Sequence, residues 1–519
     1  MKIILLRAAF VPALILFLSS GLRPVMGQSR WVHPGPDGKL IYLRSPQGDR
    51  VTDFSSAGYE GGGVALPVVP SKRPVAPSGG DDTAAIQKAI DEVSALPLTA
   101  GLRGAVELAP GVFHCSGTLT ITASGVVLRG AGNGAEGSTL QMIGGPHLAL
   151  RIAGHLEQKQ TSVQTTVADA YVPSGTRILH LADASKLHPG DMVVIDKPVT
   201  ATWIRFMGMD DLNREGRDEH WIGKDHLEVR RRIAAVKDNT VLLEIPLLDN
   251  YDAKFFEDRP VAVDKVEVSG QIAQVGVENL RIVAPKRSIA LDDPHYDGLA
   301  MKDAVDSWLQ AVNFEETTNS VEIGSGTERV TVRGCDVTQH EPVTSSAKPF
   351  GISVNGSQIL IDRCTGHGNE IFFVATQARQ QGPVVVLHCR FTGNGHIQPH
   401  QRWSTGLLVD NCEVPEGGID FKNRGIMGSG HGWAIGWAVA WNNSAKTLEM
   451  NEPPAVANWS IGNRGAQSNP PMPMRGKEKL LLNGAITESA EKPVQPQSLY
   501  LAQLAERLGA TAVKNIGYD

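Results

Sequence analysis

Five cysteines in 519 residues are too few for a disulfide scaffold. Basic excess is also missing, since 49 Lys and Arg face 55 Asp and Glu for a formal net charge of −6. A mildly acidic chain is a poor partner for nucleic acid, where phosphate neutralisation drives binding. Beyond residue 27 no run is long and apolar enough to cross a membrane. No helix-length apolar period separates the short β-branched segments of the second half, which excludes leucine-rich and helical repeats. What remains is an all-β chain with no nucleic acid and no membrane among its expected partners.

The chain does contain a repeat. Val330–Cys335 (VTVRGC) aligns with Ile359–Cys364 (ILIDRC), Val384–Cys389 (VVVLHC) and Leu407–Cys412 (LLVDNC). Ala438–Asn443 (AVAWNN) continues the series with Asn in the cysteine slot, and Trp308–Asn313 precedes it. From Asn313 the intervals are 22, 29, 25, 23 and 31 residues. Such a period, with Gly, Asn and Asp at the edges of each unit, means stacked coils of strand and turn. The fold class is therefore all-β, a parallel β-helix whose coils bury their apolar side against their neighbours.

Alternation along each strand points its first and third residues inward. Arg333, Asp362, Leu387, Asp410 and Trp441 then form an outward column. A turn at the residue before each cysteine is expected to break the alternation and stack Cys335, Cys364, Cys389 and Cys412 inside. A buried apolar ladder and a disulfide between adjacent coils are both open for these cysteines.

The rest of the chain divides by composition. Residues 1–27 read as a secretory signal peptide, with Lys2 and Arg7 before an apolar Ala8–Ser20 and a cleavage site after Gly27. The expected localisation is secreted or periplasmic. Residues 28–77 read as an extended arm, and 78–157 as a capping helix and first coils. In that helix Ile86, Ala89, Ile90 and Val93 share one face, and Asp82 or Thr83 can cap it. Residues 158–262 lack the coil pattern and read as an inserted small β-unit, 263–465 as the main β-helix, and 466–519 as a Pro-rich wrap with a C-terminal helix. Trp203 and Trp221 of the insertion either meet a chain-like ligand or fill its own core.

Candidate chemistry concentrates in Asn394–His431. His396, His400, Arg402, Trp403, Asp410, Asp420, Lys422, Asn423, Arg424 and His431 lie there, and Trp433 follows. The turn Leu291–Gly298 holds Asp292, Asp293, His295 and Asp297. It offers Ca²⁺ an oxygen-rich site, with Glu315–Glu316 one coil later, or is a solvated turn. No other cofactor is evident.

The N-terminal segments carry a resemblance. Gly79–Asp91 (GGDDTAAIQKAID), the turn Pro110–Phe113 (PGVF) and Gly125–Gly132 (GVVLRGAG) resemble the first coils of the pectate-lyase superfamily, over roughly residues 51–141. The resemblance implies a right-handed parallel β-helix that is secreted and acts on or binds a polysaccharide. Superfamily members include lyases, glycoside hydrolases, epimerases and phage tailspikes, so fold alone leaves the reaction open.

Two reactions compete, and a non-catalytic glycan-binding protein is a further alternative. β-Elimination on a uronic-acid polymer needs cations for the substrate carboxylate and a base for the adjacent proton. His400 and His431 suit the base, Arg402 and Arg424 the cations, and Asp410 an orienting role. His396 and Asn423 are expected sugar contacts, and Trp403 and Trp433 either stack on sugar faces or pack in a core or turn. Hydrolysis needs two carboxylates, for which Asp410 and Asp420 stand ready. Gly430–Gly432 (GHG) is similar to a motif of polygalacturonase-like hydrolases. Their paired aspartates have no match here, because Asp410 is followed by Asn411. The stretch from His400 through Asn423–Arg424 to Trp433 also resembles a group of secreted bacterial superfamily members. A polysaccharide lyase is the expected activity, with a glycoside hydrolase second.

Overall fold

The structure, a computed structural model, describes residues 27–212, 220–256, 258–345, 347–472 and 482–519. Apart from Gly27, the expected signal peptide lies outside them, as does part of the Pro-rich wrap. Among the described residues 29 strands join in one ladder, with all its pairings between coils parallel. The fold is the all-β parallel β-helix that the repeat demands.

Each coil gives one strand to each of three sheets. One coil supplies Ser357–Asp362, Thr365–His367 and Phe372–Thr376, and the next Gln381–Leu387, Arg390–Thr392 and His396–Ile397. Register is kept down the stack, with Ile359 on Val384 on Leu407 in the first sheet and Phe372 on His396 on Gly418 in the third.

The corner between the first two sheets explains the cysteines. Gly334, Arg363, His388, Asn411 and Asn442 all take left-handed φ values, from 48° to 59°. One such residue turns the chain and reverses the alternation. Cys335, Cys364, Cys389 and Cys412 therefore point inward, each at most 1% exposed, and are unbridged. Cys389 Sγ receives the Cys364 amide at 3.3 Å. Where the series changes to asparagine, the ladder becomes polar. Asn443 Oδ1 accepts the Cys412 amide at 2.8 Å, and Asn463 Oδ1 accepts the Asn443 amide at 2.8 Å.

The helix Thr83–Ser94 closes the N-terminal end with Ile86, Ala89, Ile90 and Val93 buried. Asp82 stands at its start without capping it, because its carboxylate accepts the amides of Ser78 and His114.

Several limits differ from those expected. Ser71–Val75, placed in the arm, pairs in parallel with Gly104–Leu108 and is the first rung. The inserted unit is a six-stranded sheet bounded by Glu157–Thr166 and Ala262–Ser269, which pair antiparallel. Val266 is therefore still in the insertion, and the coils resume at Ile272. The last rung is Ile486–Glu488, beyond the expected end at 465.

The outward column of the first sheet is not a surface. A second apolar core covers it, built from Val51 and Phe54 of the arm, Trp203 and Trp221 of the insertion, and Leu499 and Tyr500 of the C-terminal helix. They pack on Leu360, Val385, Leu387, Leu408 and Trp441. Strands this uniformly apolar are buried on both faces.

Candidate functional site

Covering the first sheet removes four expected site residues from reach. Trp403 is fully buried, and its Nε1 donates to Asp249 Oδ2 at 3.0 Å. Trp433 is 2% exposed and donates to the Met207 carbonyl. Trp203 and Trp221 stack on each other and set their edges against Trp403, so they fill a core. Asn423 is buried under Met209 with its Oδ1 on the Gly425 amide. Asp410 does leave the coil outward, into protein. Ser498 Oγ and the Tyr500 amide both donate to its Oδ2 at 2.8 Å. It anchors the C-terminal helix Leu499–Leu508, and burial pushes its pKa up to about 6.

The third sheet differs. Its outer face opens on a groove of about 610 Å³ over the rungs from Leu148 to Phe350, edged by Gln377, Arg379 and Gln401. Leu150, Leu299, Val321, Ile352, Val374 and Ile397 mark six successive rungs. Five steps of about 4.8 Å make the wall roughly 24 Å long. Arg151, Glu322 and Arg379 give the groove charge of both signs.

At the C-terminal end of this wall titratable groups gather. His396 is half-buried, and its Nδ1 meets Asp420 Oδ2 at 2.9 Å. Gly418, the next residue down the rung, makes room for the ring, since a Cβ there would stand 2.7 Å from His396 Nδ1. Lys422 Nζ lies 3.1 Å from Asp420 and 2.8 Å from Glu449. Burial alone would raise Asp420, yet Lys422 and His396 hold it below the usual carboxylate range. Glu449 goes the other way, raised by burial despite Lys422.

Arg424, His400 and His431 converge next to this group. Arg424 Nη1 donates to the His400 carbonyl at 2.7 Å, and its guanidinium lies over the Phe372 ring. His400 Nδ1 meets Gln377 Oε1 at 3.0 Å, which ties it to the groove edge. The His400 and His431 rings meet edge to face at 4.8 Å. Arg402 donates to the Ser429 carbonyl and hydroxyl, both at 2.6 Å. Burial first, then Arg424, push His400 down to about 3 and His431 to about 2. Burial beside a guanidinium thus disfavours the protonated form of both rings. Buried polar atoms without a hydrogen-bond partner gather here too, namely Asp420 Oδ1, Arg424 Nε and His431 Nδ1. Such groups cluster where structure is held for function.

Glu449 was missed in the sequence. Its signal is the third-sheet pattern, because Ile419-Asp420-Phe421 sits in register with Leu448-Glu449-Met450. Aligning only the cysteine-ending strands hides it.

At the turn Asp293–Asp297 the Asp293 side chain is exposed, while Asp297 and the glutamates of the following coil have partners. Asp297 Oδ1 accepts the Asn319 amide, Glu315 pairs with Arg281, and Glu316 holds His340. Among the described residues the group whose donor atoms lie close enough to share an ion is Asp196, His226 and Glu228, on the inserted sheet.

No protein-family model matches the chain, and no curated protein matches it. Among solved structures it is similar to the tailspike protein gp49 from Pseudomonas phage LKA1, at 14% identity over 79% of this chain and 72% of that one, with a TM-score of 0.37. It is also similar to a tailspike of E. coli bacteriophage HK620 in complex with a pentasaccharide, at 11% identity over 80% and 57%, TM-score 0.39. PfbA, a surface adhesin of Streptococcus pneumoniae, is 10% identical over 80% and 88%, TM-score 0.32. These are likenesses of fold alone.

Proposed function

We propose that the chain is a polysaccharide lyase that cleaves a uronic-acid-containing polymer by β-elimination on the third-sheet wall. The observation that carries this reading is the His396–Asp420 pair beside Lys422 and Arg424. A carboxylate on Nδ1 fixes the tautomer and leaves Nε2 to accept a proton. His396 then takes the proton beside the substrate carboxylate. The C–H bonding pair forms the new double bond, and the glycosidic oxygen leaves with the C–O bonding pair and takes up a proton from water. Arg424, with a guanidinium that matches a carboxylate, neutralises the charge that builds up. Lys422 keeps Asp420 ionised. His400 shapes the groove edge through Gln377.

Hydrolysis is disfavoured by burial. Its two candidate carboxylates, Asp410 and Asp420, are 0% and 1% exposed, so neither reaches a sugar carbon. One fact speaks for it, which is that Asp420 and Glu449 are shifted apart as acid–base pairs are.

The test is incubation with a panel of acidic and neutral polysaccharides, reading ultraviolet absorbance of unsaturated uronate together with reducing ends. Lysis gives both signals in step. New ends without absorbance would make the enzyme a hydrolase, and binding with neither would make it a glycan-binding protein.

A further inference from the structure

Away from the third-sheet wall, one cleft gathers twice as many arginines as carboxylates. It has a volume of about 540 Å³ and lies where the arm, the inserted unit and the C-terminal helix meet beside the first sheet. Arg177, Arg230, Arg231, Arg232, Arg329 and Arg507 line it. Its carboxylates are Glu60, Glu244 and Glu328. Glu328 is taken by Arg230 at 2.6 Å, while Arg329 turns to Asp306. Glu244 stands at the exposed rim, 3.9 Å from Arg232. Glu60 accepts from the Gln274 amide.

Arg177, Arg231 and Arg507 have only neutral hydrogen-bond partners among the described residues. Arg177 Nε donates to the Leu243 carbonyl. Arg231, 2% exposed, donates to the carbonyls of Pro246 and Arg230. Arg507 donates to Ser55 and to the Gly61 carbonyl. A carbonyl accepts a hydrogen bond but cancels no charge. Burying a guanidinium in that state is costly, and like charges sharing a cleft add to the cost. Burial pushes Arg231 down to about 10. Arg507 stands at the exposed rim, lowered by partial burial and Arg177 against the opposing pull of Asp53. An anion in the cleft offsets both costs. The cleft is of ligand size, and guanidinium forks match oxyanions.

We infer that this cleft binds an oxyanion group, a carboxylate, sulfate or phosphate, through Arg177 and Arg507 with the buried charge of Arg231 behind them. The site stands apart from the His396 centre and does not depend on its reaction.

The test is titration calorimetry on the full chain at low salt with three probes: inorganic phosphate, inorganic sulfate and a uronic-acid oligosaccharide. At least one should bind saturably, and more weakly as salt is raised. The strongest of the three tells whether the source is a free anion or a glycan. Arg177→Gln should weaken binding about tenfold, the size of one charged hydrogen bond. Glu244→Gln should tighten it about twofold by removing a rim charge. His396→Ala should leave phosphate and sulfate binding unchanged, while the oligosaccharide, which also meets the third-sheet wall, is read by the difference between Arg177→Gln and the parent. Binding by none of the three probes, or equal affinity in Arg177→Gln and the parent, would overturn the proposal. Loss of phosphate or sulfate binding in His396→Ala would do so too, by placing the anion on the other wall.

Discussion

Two buried ion pairs sit on different walls of one β-helix and have opposite surroundings. On the covered wall Lys197 Nζ lies 2.7 Å from Asp249, and the indoles of Trp403 and Trp437 also donate to that carboxylate. Lys197 further sits 4.6 Å from the Trp203 ring centre. On the open wall Lys422 lies 3.1 Å from Asp420, and His396 shares the carboxylate. The first pair is sealed in aromatic rings and joins the insertion to the coils. The second borders a groove and has a titratable partner. The same residue types thus hold the fold together or stand ready for chemistry according to what covers the sheet.

Breaking the covered pair should have the largest effect. Asp249→Ala leaves a buried lysine unpaired and should cost about 3–5 kcal/mol. Urea denaturation of parent and variant measures it. A loss under about 1 kcal/mol would mean that the insertion is not pinned there.

Asp410 sharpens the comparison through pH. Its folded pKa of about 6 lies above the ordinary 3.8. The folded state therefore holds the proton more tightly, and its contribution to stability is full below about pH 4 and lost as pH rises through 6. The shift corresponds to roughly 3 kcal/mol. Asp410→Asn should be stabilised relative to the parent at pH 7 compared with pH 4, by up to about that amount. Parallel stability profiles from pH 4 to 7 would contradict the buried anchor.

On the open wall the smallest change is Gly418→Ala. The new Cβ would crowd His396 Nδ1 and Thr447 Oγ1, at 2.7 and 2.6 Å. The ring should swing off Asp420 and turnover should fall about tenfold, a moderate result for a misplaced catalytic group. The melting temperature should stay within a few degrees. An active variant with an unchanged pH profile would show that the contact with Asp420 is dispensable.

The coil architecture was legible because stacking forces a repeat. Aligned cysteines gave the first sheet, and turn formers such as Gly334 and Asn411 gave the corner. The covered wall was also written in the sequence, as apolar runs such as Val384–Leu387, but alternation alone made Leu387 and Trp441 look exposed. Asp410 was misplaced for that reason, and the cover also decides Trp403, Trp433 and Asn423 in favour of burial. Cover comes from Phe54, Trp221 and Tyr500, hundreds of residues apart, and no local pattern reports it. On the third sheet His396, Asp420, Lys422 and Arg424 were all in view. Their pairing was not, because it depends on register between coils of unequal length. The depressed pKa values of His400 and His431 depend on burial by Phe350, Phe372 and Arg424 and were likewise out of reach.

The central claim is that chemistry belongs to the open wall. It is tested most directly by comparing His396→Ala with Asp410→Asn on a polymer that the parent cleaves, by the rate of unsaturated-uronate absorbance. His396→Ala should lose at least about a hundredfold, the size of one general base, with its melting temperature kept. Asp410→Asn should stay within about threefold of the parent, since surface effects remote from the site are small. A near-normal rate in His396→Ala, or a collapse in a folded Asp410→Asn, would contradict the account and return the active site to the covered wall.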